Sequence, residues 1–229
     1  MSNSKHPSKK NNSVCAIVPF FNEKTTLSML LDETLKYVDK VFAINDGSSD
    51  DTYNFERSKI NITMIDLEKN YGKGRALSIG FEEALASGFE NIVTIDADFQ
   101  HNPKYIPELL EALNSFEIVI GNRLKNLKNM PVQRKISNTL TSYFLTKKTG
   151  QKILDSQCGF RAYRAEVLKK VKTKYYGYEA ESEILVKAAK EGFNIGFIDI
   201  STIYGNEKSK MKPVQAILGF LKVLLLNWS

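Results

Sequence analysis

The 229-residue sequence is poor in cysteine: Cys15 and Cys158 are the only two. That excludes a disulfide framework, and with Cys15 inside an apolar run it predicts a reducing, cytoplasmic setting. The first 13 residues, "MSNSKHPSKKNNS", have no apolar core. They form neither a signal peptide nor a span and are expected to be a disordered tail. No internal repeat and no low-complexity segment interrupts the chain. No nucleic-acid recognition motif is present, and no aromatics are interleaved with the basic residues at a stacking repeat, so nucleic acid is not an expected partner.

Apolar residues make up 42% of the chain, enough at this length to bury one substantial core, and we read one domain over residues 14–212. Charge is unevenly placed. Residues 1–120 carry 12 basic and 18 acidic side chains, residues 121–176 carry 14 and 2, and residues 177–229 carry 6 of each. A basic middle beside an acidic first half suits an anionic partner.

Periodicity gives alternating elements. "VCAIVPF", "KVFAIND", "ITMIDL", "NIVTIDAD" and "FEIVIGNR" read as strands. Helices are expected over 24–37, after Asp50, over "GKGRALSIGFEEALASG" and over "NPKYIPELLEALNS". This order predicts an α/β fold with a mostly parallel central sheet flanked by helices, and a ligand site at the carboxyl ends of the strands. After residue 123 the alternation stops. A helix entered at Pro131, a turn with a short strand in "DSQCGFRAYR", a helix over "YEAESEILVKAAKEG" and a strand in "FNIGFIDIST" follow. Residues 213–229 read as a proline-started apolar helix too short to span a bilayer.

In "DADFQHNP", Asp96 and Asp98 are separated by Ala97. If the strand runs through them, both carboxylates point the same way, and a cation between them relieves their repulsion. Helix capping explains one of these acids but not both.

Together with "IVPFFNE", "NDGSSDDT", "VIGNR", "DSQCGFRAYR" and "KSKM", this block resembles the family 2 glycosyltransferases, of the dolichol-phosphate mannosyltransferase type, over residues 14–213. The resemblance implies a glycosyltransferase A-type fold, a GDP- or UDP-sugar donor, Mg²⁺ or Mn²⁺, and inversion at the anomeric carbon. It assigns Asp96, Asp98 and Gln100 to the metal. Pro19, Phe21, Glu23, Asp46, Asp96, Ala97, Asp98, Gln100 and Lys210 fall to the donor. Phe21 stands where a tyrosine is usual, Asn45 where many relatives carry an aspartate, and Tyr204 where mannosyltransferases carry an arginine. Arg123, Arg134, Ser137 and Arg161 fall to the acceptor, with Asp98, Arg123 and Arg134 as catalytic residues. Arg161 is open to a second role, pairing with Asp155. In "NYGKGRALSIG", Lys73 and Arg75 are candidates to face donor phosphates, with Gly72 and Gly74 allowing close approach.

A polyprenyl phosphate acceptor is already an oxyanion near neutral pH and needs no base. A glycan hydroxyl needs one, and Glu181 or Glu183 is then the candidate. The basic middle favours the phosphate. Two rivals remain: a phosphohydrolase built on the Asp-x-Asp motif, and a non-catalytic sugar-nucleotide binder. The terminal apolar helix is expected to make peripheral membrane contact, with packing on the domain or a homodimer as alternatives.

Overall fold

The computed structural model describes residues 13–50, 59–125, 132–202, 223 and 225, with the backbone alone for 132–134. The expected tail (except Ser13), the helix after Asp50, Lys210 and the terminal helix (except Val223 and Leu225) lie outside the described residues.

A seven-stranded sheet forms the centre, in the order β3-β2-β1-β4-β6-β5-β7. Its strands are β1 Val14–Phe20, β2 Lys40–Asn45, β3 Ile62–Asp66, β4 Asn91–Thr94, β5 Ile118–Asn122, β6 Arg161–Arg164 and β7 Ile195–Asp199. The helices are α1 Leu27–Thr34, α2 Lys73–Ala86, α3 Ile106–Ala112, α4 Val132–Thr149, α5 Ala165–Lys170 and α6 Glu179–Lys190. β1 is apolar along almost its whole length and buried from Cys15 to Phe20, as expected of a central parallel strand covered on both faces. β1 to β4 pair in parallel, as do β5 and β7. The predicted fold class holds.

Register decides where the site lies. Phe20 is opposite Asn45, which is opposite Asp66, and Ile17 is opposite Thr94. The loops after β1, β2, β3 and β4 therefore leave from one edge. Periodicity did not reveal where β6 goes. It runs antiparallel between β4 and β5, with Arg161 opposite Thr94 and Ile120, so the "DSQCGFR" turn enters the sheet beside the end of β4.

β4 ends at Thr94, earlier than expected. Ile95 still donates to Ile17 O, but Asp96 and Ala97 leave the ladder, and Ala97 and Asp98 lie in a turn. Strand alternation therefore does not govern where Asp98 points. A loop must bring it to Asp96 instead. Among the described residues, no helix is long and apolar enough to cross a membrane.

Candidate active site

Three loops meet at the carboxyl edge of β1, β2 and β4. Asn22 ties the first two together. Its N–H donates to Ser48 Oγ (3.0 Å), and its Oδ1 accepts from Ser49 N (2.9 Å) and Asp50 N (3.4 Å). It does so at φ 54°, a left-handed conformation that asparagine tolerates better than most residues. Asn45 is buried. Its amide donates to Asp66 (3.0 Å) and its Oδ1 accepts from Ser48 N (2.8 Å). Thr26 donates to Ala97 O at 2.7 Å, which joins the first loop to the acidic turn. Pro19 and Ala97 are buried beneath this junction, with Phe21 and Glu23 half-buried on the first loop.

Asp46 has a definite task in this state. One carboxylate oxygen accepts from Tyr71 N (2.8 Å), the other from Gly72 N (2.9 Å). Burial raises its pKa, and these two hydrogen bonds only partly offset that. It pins the loop that leads into α2.

Sequence reasoning did not foresee the centre of the site. The ammonium of Lys73 lies 2.6 Å from Asp96 Oδ1 and 2.9 Å from Glu181 Oε2. The positive charge beside the first aspartate is therefore a side chain from the first turn of α2, bridging to α6. Burial would strip Lys73 of its proton, but Asp96 and Glu181 outweigh it and hold its pKa above the ordinary lysine value. Burial would likewise raise the Asp96 carboxyl, and Lys73 outweighs it, holding Asp96 ionised below its ordinary value. Glu181 Oε1 is buried and has no hydrogen-bond partner among the described residues; Arg161 Nε is 3.7 Å away.

Glycines make this closeness sterically feasible. A Cβ on Gly159 would overlap Asp96 Oδ2 and Lys73 Nζ. One on Gly74 would come within 2.6 Å of Gly177 O and Ala180 Cβ. Gly72 and Gly74 thus admit the start of α6 against α2, which corrects the expectation that they make room for phosphate. Arg75 is likewise turned to the protein, with its guanidinium 5.8 Å from the centre of the Tyr176 ring.

Asp98 lies in the turn, half-buried, with Oδ1 accepting from Gln100 N at 3.1 Å. Phe99 between them has φ 56°, a left-handed conformation costing a bulky residue roughly 1–2 kcal/mol. His101 is buried, stacked on Phe160, with Nε2 3.9 Å from Cys158 Sγ. Burial and then the Arg123 charge hold it down to about 4, so it is neutral.

The acceptor assignments fare unevenly. Arg123 grips Asp155 as a fork, Nε to Oδ2 at 2.7 Å and Nη2 to Oδ1 at 2.8 Å, and Asn138 adds a 2.6 Å bond to Oδ1. Burial would raise Asp155; the Arg123 fork and Asn138 outweigh it and lower its pKa. The partner of Asp155 is therefore Arg123, not Arg161. Arg161 is completely buried and donates to Cys158 O (2.7 Å), Ser156 O (2.8 Å) and Glu181 O (3.0 Å). With its donors spent on backbone carbonyls, it has no face to offer an acceptor, which corrects that assignment. Ser137 is exposed on α4, near Gln157 Nε2 at 3.2 Å. The side chain of Arg134 lies outside the described residues. Glu183 is fully buried, accepts from Lys174 N and Tyr175 N, and pairs with Lys187 at 2.7 Å. It holds a loop in place and is no longer a candidate base.

The donor set also bears on a metal. Among the described residues, no group of three or more histidine, cysteine or acidic side chains is arranged to hold one. Two carboxylates and an amide on one turn fit Mg²⁺ or Mn²⁺ only as a partial shell completed by substrate phosphates, which is how such ions are commonly bound with nucleotides.

The glycosyl transferase family 2 model matches residues 15–172. The chain belongs to that family. It is 32% identical to a UDP-N-acetylglucosamine–dolichyl-phosphate N-acetylglucosaminyltransferase of Methanococcus voltae, over 89% of this chain and 90% of that protein. It is 28% identical to an undecaprenyl-phosphate mannosyltransferase of Micrococcus luteus, over 94% of this chain and 93% of that protein. Among solved structures, glucosyl-3-phosphoglycerate synthase from Mycobacterium tuberculosis, in complex with Mn²⁺, uridine diphosphate and phosphoglyceric acid, superposes with a TM-score of 0.73. That match is 19% identical and covers 96% of this chain and 81% of the other, which establishes the glycosyltransferase A fold. The protein is thus a family 2 glycosyltransferase.

Proposed function

We propose that this glycosyltransferase moves a sugar from a nucleotide-sugar donor to a polyprenyl phosphate, inverting the anomeric carbon. What supports the acceptor half is the state of the α6 carboxylates. Glu183 is used up in structure, and Glu181 shares an ammonium with Asp96. A hydroxyl acceptor would need one of them as a base, whereas a phosphate monoester, with its second pKa near 6, arrives as an oxyanion. The two relatives named for polyprenyl phosphates match nearly the whole chain, in keeping with this reading.

In that reading, the nucleoside lies over Pro19, Phe21 and Glu23, with Asp46 holding the loop beneath it. Asp96, Asp98 and Gln100 hold Mg²⁺ or Mn²⁺, which when bound neutralises charge building on the departing diphosphate. Lys73 keeps Asp96 ionised and brings a second positive charge to the diphosphate end. Glu181 Oε1, buried without a hydrogen-bond partner among the described residues, accepts a sugar hydroxyl and fixes the ring. The acceptor phosphate approaches the opposite face of that carbon from the side of Arg123, Arg134 and Ser137. Its oxygen forms the new C–O bond as the bond to the diphosphate breaks, and no proton has to be removed. Positioning and charge do most of the work. Arg161 acts from beneath, holding the turn over residues 156–158 against α6.

A donor panel (GDP-mannose, UDP-glucose, UDP-N-acetylglucosamine) with Mn²⁺ and a polyprenyl phosphate tests the proposal. A lipid-linked sugar phosphate from one donor is the expected product. Transfer only to glycan hydroxyls would favour the second reading, in which Glu181 is the base, an assignment that its Oε1 keeps in play. Donor binding with no transfer to any acceptor would favour a non-catalytic binder.

A further inference from the structure

We propose that α4 is a membrane-docking helix, whose outward stripe of Ile136, Leu140 and Tyr143 between Lys135 and Lys147 seats the enzyme on an anionic bilayer surface. This places membrane contact on a different element from the terminal helix that the sequence pointed to. It deepens the proposed function and rests on that reading for the lipid-borne acceptor.

The helix is inside-out. Its inward face is largely polar: Asn138 and Ser142 are buried, and Leu145 is the apolar residue that joins them. Asn138 donates to Asp155, Ser142 to Asn138 Oδ1 (3.2 Å), and Ser156 N to Ser142 Oγ (3.0 Å). The outward face carries an apolar stripe among exposed polar residues, Ser137 and Thr139 included. Ile136, Leu140 and Tyr143 are 62%, 54% and 56% exposed, at spacings of four and three that put them on one stripe. A helix of a water-soluble domain normally shows the reverse arrangement. Here hydrogen bonds secure the inner face, and the large apolar side chains are left facing outward.

Charge chooses the occupant. The helix carries Arg134, Lys135, Lys147 and Lys148 and no acidic residue across its 18 positions. Two copies meeting through α4 would set these cations against each other, which disfavours a symmetric contact. An anionic headgroup layer complements them, and an apolar stripe flanked by lysines is the composition of a helix lying in the interface plane. The ammonium of Lys147 lies 5.9 Å from the Tyr143 ring centre, a cation and an amphipathic ring placed side by side as they occur at membrane surfaces. The first turns of the same helix carry Arg134 and Ser137. A phosphate held there leaves its hydrocarbon chain beside the stripe, so the acceptor need not leave the bilayer to be used.

The test is sedimentation of the full-length protein with phosphatidylcholine vesicles, with and without phosphatidylglycerol, alongside sugar transfer to two acceptors. One is a long polyprenyl phosphate in the vesicles, the other a short water-soluble prenyl phosphate. Wild type should bind the anionic vesicles. The variant Ile136→Ser/Leu140→Ser/Tyr143→Ser should bind roughly ten-fold less with an unchanged circular-dichroism melt. Its transfer should fall on the vesicle acceptor and hold on the soluble one. Lys135→Glu/Lys147→Glu should remove the preference for anionic vesicles. Equal loss on both acceptors, or triple-variant binding equal to wild type, would overturn the inference. So would a wild-type dimer, indifferent to vesicles, that the triple variant renders monomeric. Transfer to the soluble acceptor by a wild type that ignores both vesicles would sink docking and leave the proposed function standing. Vesicle binding through α4 without transfer from any donor would do the opposite.

Discussion

Two partly buried ion pairs sit close to the same edge of the sheet, and they do different things. At Arg123–Asp155, the planar guanidinium meets the carboxylate as a fork, and Asn138 Nδ2 and the backbone N–H groups of Arg123 and Gln157 fill its remaining positions. At Lys73, a single ammonium is shared between Asp96 and Glu181, two carboxylates against one cation. The first pair is neutral and its carboxylate is saturated. The second has Arg161 as a further cation 3.7 Å from Glu181 Oε1, and that buried carboxylate oxygen still lacks a hydrogen-bond partner among the described residues. Saturated pairs hold structure; an under-satisfied one is an opening for a ligand. The contrast teaches that burial and charge alone do not mark a site. Unspent hydrogen-bonding capacity does.

The sharpest way to break this comparison is at the acidic turn. Asp98→Ala should lower transfer at least ~10³-fold, about 4 kcal/mol in activation free energy, with a melting temperature close to wild type. A chromatographic transfer assay beside a thermal melt checks both. Wild-type turnover in that variant or in excess chelator would refute the assignment. On the saturated side the order reverses. Asp155→Ala strands the Arg123 charge and should cost about 3–5 kcal/mol of stability, measured by urea unfolding.

Next comes pH. His101 is held down to about 4 when folded and returns to about 6.5 in the unfolded chain. Between those values the unfolded chain takes up a proton that the folded one refuses, so acid favours unfolding. Stability due to this residue is whole above about 6.5 and falls as pH drops toward 4, by at most about 3 kcal/mol. Below the ordinary carboxylate value of 3.8, the lowered Asp155 continues the loss, because its stabilisation needs the ionised form. The difference in urea midpoint between wild type and His101→Phe should be constant above about 6.5, and wild type should lose ground to the variant as pH falls from there toward 4.

How much of this was legible beforehand depended on whether the signal was local. The strands β1 to β5 were, because each is a short apolar run closed by turn-forming residues. So was the clustering of "FFNE", "NDGSS" and "DADFQ", since parallel strands send their loops to one edge. The Lys73–Asp96–Glu181 bridge was not. Its members are separated by 23 and 85 positions, and only the insertion of β6 and the close approach of α6 to α2 unite them. Arg161 misled because an arginine in a loop motif suggests an anion, whereas three backbone carbonyls consume it here. For α4 the period was readable and its direction was not. Spacing tells which residues share a stripe, not which stripe meets water.

The smallest expected effect sharpens the comparison most. Glu181→Gln keeps the shape of the side chain and an oxygen for Lys73, but removes one of the two charges sharing that ammonium. If Glu181 only supports structure, the change should behave as it would at Asp155, with stability falling and turnover of the folded fraction unchanged. If it orients the sugar, an amide still donates and accepts, so kcat/KM should fall only ~10–100-fold, about 1.4–2.7 kcal/mol, with little change in melting. If it is a general base, an amide cannot take the proton at all. The loss should then be far larger, and the acidic limb of the pH–rate profile should vanish with it. One substitution, read by unfolding, by kcat/KM and by pH profile, separates a structural carboxylate from an orienting one and an orienting one from a base. The under-satisfied cluster predicts the middle outcome.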